Sequence, residues 1–125
     1  MIAVAKRRRF EGYRYQLTGE ISSVAGLAQA LDFPSDGSSL SLTGLAVRAT
    51  FRKYAWQDYP TVTLASTASQ IVITDADTLT FAATASDMSS LDEGLYTFDI
   101  TTSSTGVISH LAQGQVMVRK SPVSF

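Results

Sequence analysis

The sequence contains no cysteine, and His110 is its single histidine. Disulfide bonds and thiolate metal sites are therefore excluded, and the fold must be stabilised by packing or by assembly. A catalytic triad or a metal site would need His110 to converge with other reactive groups. Because it stands between Ser109 and Leu111 in a stretch that predicts a strand, we interpret His110 as an ordinary strand residue.

Motifs for nucleotide and metal chemistry are also missing. Neither GxGxxG nor GxxxxGK[ST] occurs, which argues against a phosphate-binding loop. Asp75-Ala76-Asp77 resembles the start of a calcium loop but lacks its third acidic position, its glycine and its closing glutamate, so it predicts a hairpin turn. Asp92 and Glu93 are adjacent on a turn, whereas paired catalytic carboxylates face each other across a substrate. The sequence predicts a non-enzymatic protein with no catalytic residue, metal site or cofactor.

Long apolar runs are absent as well, since no stretch approaches the roughly 18 residues of a membrane span. The basic residues near the N-terminus are followed by Phe10-Glu11-Gly12 rather than by a long apolar segment, which argues against a signal peptide. Charged residues make up 17% of the chain and apolar residues 45%, a balance that favours a folded over a disordered chain. We therefore expect a single soluble domain, made in the cytoplasm, with no membrane partner.

Charge is distributed unevenly along the chain. Residues 1–16 contain five basic residues and one acidic residue, a net charge of +4, whereas the remainder contains five basic and ten acidic residues, a net charge of −5. Few large apolar residues precede the basic run, so we predict a basic N-terminal arm over 1–16 and a β-sandwich domain over 17–125. The candidate partner-binding residues of this arm are Lys6, Arg7, Arg8, Arg9, Phe10, Tyr13 and Arg14.

Two kinds of partner fit the basic arm. Clustered cations bind phosphates, and Phe10 and Tyr13 could stack on bases, but one short cluster in an acidic chain is a weak nucleic-acid signature. An acidic surface on a neighbouring subunit explains the same residues. We therefore predict a protein partner for the arm and no nucleic acid.

The clearest pattern in the sequence is a two-residue period. In Leu42–Lys53, larger apolar residues alternate with polar or small ones, so this stretch predicts a strand with one buried face. The alternation recurs in five later stretches: 61–66, 71–73, 78–84, 95–102 and 107–120. Turn signals at 75–77 and 103–106 separate two pairs of these stretches, and another turn signal at 34–37 precedes the first stretch. About seven to nine short strands with regularly spaced turns predict an all-β sandwich.

Three local features are less regular. Ser22–Leu31 has apolar residues at helical spacing behind a possible serine cap, but it contains Gly26, and a β-segment fits it nearly as well. Ser86–Leu91 predicts one helical turn capped by Ser or Asp. Gly114 interrupts the last predicted strand, which indicates a bulge or a close approach of another backbone.

Trp56 and Tyr59 lie in a predicted loop after the strand in Leu42–Lys53. Exposed aromatic rings of this kind can stack on sugars, which makes the two residues candidates for glycan binding. Packing at the rim between two sheets is the alternative explanation for the same rings.

Three segments, taken in order, resemble a family of small structural proteins of tailed bacteriophages, related to the N-terminal domain of upper-baseplate proteins. The first, LDFPSDGSSLSLTGLAVRATFRK, contains an Asp-Gly turn, a Leu-Thr-Gly signature and a strand ending in Arg. The second, DMSSLDEGLYTFDI, contains Leu-x-x-Gly-x-Tyr before a strand ending in Asp-Ile. The third, TGVISHLAQGQVMV, has a glycine turn, a valine-led strand and a late Gly-x-x-x-Val. The match covers roughly residues 31–120.

The resemblance implies an immunoglobulin-like, antiparallel β-sandwich that serves as a building block of the virion. The chain would be made in the host cytoplasm and assemble with other virion proteins, and with copies of itself, in the tail, the baseplate or a fibre attachment. A capsid decoration or the base of a head fibre is the first alternative. A carbohydrate-binding module for host recognition is the second.

Overall fold

The computed structural model describes residues 2–6, 14–22, 26–33, 41–53 and 61–119. These residues contain a 3-10 turn at Ser66–Ala68, a short helix α1 (Ala85–Met88) and nine strands. The strands are β1 (Ile2–Lys6), β2 (Tyr15–Ser22), β3 (Leu27–Asp32), β4 (Ala46–Arg52), β5 (Val62–Ala65), β6 (Ile71–Asp75), β7 (Thr78–Ala83), β8 (Gly94–Ser104) and β9 (Val107–Arg119).

Two sheets form the predicted all-β sandwich. The six-stranded sheet has the order β1-β2-β9-β8-β4-β5, and the three-stranded sheet has the order β3-β7-β6. One strand pair departs from the antiparallel arrangement, because β2 and β9 are parallel. The chain passes from β2 into the other sheet and returns to β9 only after most of its length, so no hairpin constrains these two strands to run in opposite directions.

The core lies between the two sheets and is built from the predicted alternation. In β4, Val47, Ala49 and Phe51 are buried, while the residues between them are exposed or half-buried. The Phe51 ring stacks on Phe98 of β8 with centroids 4.3 Å apart, and Phe81 of β7 approaches Phe98 from the other sheet at 6.0 Å. Phe98 therefore joins both sheets at the centre of the core.

The described residues of the N-terminal segment, 2–6 and 14–16, are part of this sandwich, contrary to the predicted boundary between an arm at 1–16 and a domain at 17–125. β1 pairs antiparallel with β2, Ile2 is only 3% exposed, and Tyr15 is fully buried. Ile2 and Val4 are two residues apart, so a strand places both on the face towards the core. Two apolar residues thus suffice for an edge strand, although they are too few to produce a recognisable strand pattern next to a basic run.

Gly114 marks a close backbone approach, as one of the two predictions for it stated. A Cβ atom at this position would lie 1.7 Å from the carbonyl oxygen of Leu17 in β2. The irregularity of β9 lies elsewhere: its register with β8 shifts between Ile100 and Thr101, opposite Leu111. This extra residue allows Leu111 and its neighbour Ala112 both to be buried.

The helical interpretation of Ser22–Leu31 is wrong over Leu27–Leu31, which belongs to β3, and the β alternative is correct there. Gly26 has φ +74° and an added Cβ would lie 2.5 Å from the carbonyl oxygen of Ala83, so it turns the chain before the strand rather than interrupting a helix.

The predicted helical turn exists as α1, but its cap is Thr84 instead of Ser or Asp. The Thr84 side chain accepts from the backbone N–H of Asp87 at 3.1 Å, and the Thr84 N–H donates to the Asp87 carboxylate at 2.9 Å. This backbone hydrogen bond lowers the pKa of Asp87 below its usual value.

Two glutamine side chains join the sheets at their edges. Gln29 of β3 accepts from the Ile2 N–H at 3.0 Å and donates to the Ile2 carbonyl at 2.7 Å, so its amide pairs with β1 as a neighbouring strand would. At the opposite edge, Gln70 accepts from the Ala65 N–H at 3.1 Å through its side chain and donates its own N–H to the Ala65 carbonyl at 3.2 Å. The sandwich is therefore closed by polar contacts on both sides.

Candidate functional site

The predicted partner-binding residues fall partly within the described chain. Lys6 ends β1, where it pairs with Tyr15. Arg14 immediately precedes β2, donates its backbone N–H to the Leu111 carbonyl at 3.0 Å, and places its guanidinium carbon 5.9 Å from the centre of the Tyr15 ring. Arg14 is thus held at the end of the sheet. Five candidates lie outside the described residues: Arg7, Arg8, Arg9, Phe10 and Tyr13.

The glycan-binding candidates, Trp56 and Tyr59, also lie outside the described residues. The described chain leaves β4 at Lys53 and returns at Thr61, whose N–H donates to the Phe51 carbonyl at 2.8 Å. The two described residues that flank this segment, Lys53 and Thr61, lie at the end of the six-stranded sheet opposite the β8–β9 turn.

His110 lies at the exposed end of β9, next to the bulge and across from Thr101 of β8. It lines a groove of about 180 Å³ together with Arg14, Leu42 and Ser109. The groove thus places two basic side chains together and contains no carboxylate among its lining residues. Within the described ranges, no group of three or more His, Cys, Asp or Glu residues could hold a metal ion.

The acidic turn residues have structural contacts. Asp75 accepts from the Ala76 N–H at 2.9 Å through its carboxylate, which stabilises the predicted turn between β6 and β7. The Ala76 carbonyl accepts from the Leu42 N–H, and the Asp77 carbonyl accepts from the Phe33 N–H, at 2.9 Å each. The turn therefore anchors Phe33 at the end of β3 and Leu42 before β4. At the other turn, the Asp92 N–H donates to the Tyr96 hydroxyl at 3.0 Å.

Asp99 is the most unusual ionisable group among the described residues. It lies on the outer face of β8, the face turned away from the core, yet its side chain is only 13% exposed. One carboxylate oxygen lies 3.5 Å from the Arg52 guanidinium, and the other is buried without a hydrogen-bond partner in the described chain. Burial raises the pKa of Asp99, and Gln113, Arg52 and His110 oppose this effect only in part.

The surroundings of Asp99 are polar but almost uncharged. Strand register places one row of outer-face side chains across five strands, formed by Gln16, Gln113, Asp99, Thr50 and Thr63. Near the far end of the sheet, Glu20 of β2 and Arg119 of β9 form a second ion pair. Amide and hydroxyl groups can exchange water for a protein partner at lower cost than free charges can. This face is therefore chemically suited to contact another protein.

The end of the β8–β9 hairpin exposes apolar side chains, Ile108 on the outer face and Val107 on the opposite face. Val107 and Ile108 are 65% and 66% exposed, the highest values among the large apolar residues described. They belong to Ile100–Val118, a run of the sequence without Asp, Glu, Lys or Arg. Exposed large apolar side chains in an uncharged setting make this hairpin end a candidate interaction surface.

The sequence signals for these features were incomplete. The two-residue period places Asp99 and Arg52 on the wet face of their strands, but the period carries no information on which strands pair. The exposure of Ile108 was equally hidden, because an Ile in a strand usually belongs to the core. Only the absence of charge around it is readable from the chain.

No helix in the described part of the chain is long and apolar enough to cross a membrane. No known protein family matches the sequence, and no curated protein matches it either.

Proposed function

We propose that this protein is a non-enzymatic structural component of a tailed-bacteriophage virion, in the tail, the baseplate or a fibre attachment. In this proposal the sandwich is immunoglobulin-like and rigid, and it contacts neighbouring subunits through its N-terminal segment and its sheet surfaces. The resemblance of residues 31–120 to phage structural proteins suggests the particle, and the outer face of the six-stranded sheet suggests assembly.

The observation that supports assembly most directly is the composition of this outer face. Its ion pairs, Arg52 with Asp99 and Glu20 with Arg119, are internally neutral, and hydroxyl and amide side chains fill much of the rest. Apart from Arg48, copies that meet through such a face bring few unbalanced charges together, so charge repulsion between them is small. The exposed Ile108 adds apolar area at one end of this face.

Quantitative mass spectrometry of purified particles tests the proposal. A handful of copies per particle would support a tail, baseplate or fibre-attachment position. A ratio near one to the major capsid protein would instead support the capsid decoration or head-fibre base. Absence from the particles would overturn the virion role.

The contribution of the basic segment needs a variant that leaves β1 intact, because Ile2 is part of the core. Replacing Arg7, Arg8 and Arg9 with serine meets this requirement, whereas truncation does not. We expect incorporation into particles to fall while thermal unfolding stays unchanged. Normal incorporation of the variant would contradict a role for these arginines.

Replacing Trp56 and Tyr59 with alanine distinguishes the glycan-binding alternative from the structural role. A variant that assembles normally but no longer binds glycans would favour host recognition. Loss of assembly would favour the structural role.

A further inference from the structure

The β8–β9 hairpin extends past the rest of the six-stranded sheet. Pairing of β8 with β4 ends at Ser103 and Ala46, so within the described strands Ser104 and Val107 pair only with each other. Successive residues of a strand point to opposite faces. Ile108 therefore lies on the outer face, beside its register partner Ser103, and Val107 lies on the side of the core but beyond it.

A groove of about 160 Å³ lies on the outer face, and Ile108 forms part of its wall. Its lining includes small side chains from neighbouring strands, together with one cation: Ala46, Ala65, Thr101, Ser103 and Arg48. This volume is close to that of the cavity of about 150 Å³ that accepts benzene in a protein interior. A branched aliphatic side chain such as isoleucine is of the right size to enter it.

The groove and the exposed Ile108 form a self-complementary pair on one face of the molecule. A two-fold axis brings the same patch of two copies together, so the residue that fills the groove of one copy has its own groove filled in return. The run Ile100–Val118 has no Asp, Glu, Lys or Arg, so like charges on the two hairpins do not oppose this contact. Arg48 is exposed, and its guanidinium can remain in water while its aliphatic stem contacts the partner.

We infer that two copies of this chain form a two-fold symmetric dimer through the outer face, with Ile108 of each copy inserted into the groove of the other. This inference goes beyond the virion role and does not depend on it, because the contact involves only residues of this chain. A monomer in solution would overturn the dimer and leave the particle composition to be judged separately.

Sedimentation equilibrium of the full chain tests the inference with a matched pair of variants. Ile108→Ser removes the inserted side chain, whereas Val107→Ser removes an equally exposed neighbour that points to the other face. We expect the dimer dissociation constant to rise at least about tenfold for Ile108→Ser and to change less than about threefold for Val107→Ser. Both side chains are exposed, so circular dichroism melting of the monomers, at concentrations well below the dimer dissociation constant, should be unchanged for both variants. A monomeric wild type, or equal weakening by the two variants, would overturn the inference.

Disulfide trapping tests the geometry, because the chain has no cysteine of its own. We expect a mixture of the Ile108→Cys and Ala46→Cys variants to form a disulfide-linked pair under mild oxidation. Val107→Cys is the control and should link to Ala46→Cys much more slowly. Equal rates for positions 107 and 108 would show that the tip is merely accessible and would overturn insertion into the groove.

Discussion

The two faces of the six-stranded sheet are built from the same strands but differ sharply in their contacts. In β8, Tyr96, Phe98 and Ile100 are buried against the second sheet, while Thr97, Asp99 and Thr101 alternate with them and are only half-buried. The inner face contributes the apolar area that stabilises the fold. The outer face of the described strands is more polar and leaves its side chains more exposed.

Truncating Phe98 should cause the largest loss in the free energy of unfolding, because Phe98 lies on the inner face. Phe98→Ala removes a ring that packs on Phe51 and Phe81, so we expect the free energy of unfolding to fall by about 3–5 kcal/mol. Leu95→Ala, on the outer face of the same strand, should cost less than about 1 kcal/mol because Leu95 is 46% exposed. Urea denaturation measures both, and similar losses for the two variants would contradict the comparison.

Gly114→Ala probes the inner face without removing any contact. The added methyl group would collide with the Leu17 backbone, so the parallel pairing of β2 with β9 must open. We expect a loss of about 3 kcal/mol. Hydrogen exchange should show faster exchange along β2, and an unchanged exchange pattern would mean that the backbones are not in close contact there. Gln115→Ala, one residue further on the exposed outer face, is the control and should have little effect.

Gln29→Ala tests the edge of the sandwich at which the contact between β3 and β1 closes the core. The substitution leaves the N–H and carbonyl of Ile2 without their side-chain partner, so we expect a loss of about 1–3 kcal/mol. Exchange of the Ile2 amide should accelerate more than that of amides in β8. A uniform acceleration would indicate that Gln29 acts on global stability and not on the edge.

The smallest effect, and one of opposite sign, is expected for Asp99→Asn. Burial raises the pKa of Asp99, so the folded state holds its proton more tightly than the unfolded state does. The wild type therefore loses stability relative to the variant as the pH rises from below the usual aspartate pKa through the raised one. Chemical denaturation at pH 3 and pH 7 should show that the free energy of unfolding of the variant, relative to that of the wild type, is higher at pH 7. The reverse trend would mean that the ion pair with Arg52 outweighs burial.

Much of the architecture was predictable, because local order carries it. Alternation predicted the strands that became β4, β7 and β8, the Asp75–Asp77 turn was correctly identified, and Gly114 indicated a close backbone approach. The N-terminal strand was missed since its two apolar residues are outnumbered by basic neighbours. The helical pattern at Ser22–Leu31 misled because a three- or four-residue spacing of a few apolar residues also occurs by chance in a short strand.

The candidate surface was much less predictable. Arg52 contacts Asp99 because β4 and β8 pair with Thr50 opposite Asp99. The groove at Ile108 forms because β4 starts at Ala46, while the β8–β9 hairpin extends further. Gln29 similarly contacts Ile2 only because β3 and β1 come together at the edges of different sheets.

Local sequence pattern was enough to establish the all-β class, the positions of most strands and, in those strands, which side chains face the core. The tertiary structure decided which strands are neighbours, in which direction and in which register. The physical reason is that periodicity depends on residues adjacent in the chain, whereas strand pairing depends on contacts between distant segments that compete for the same core.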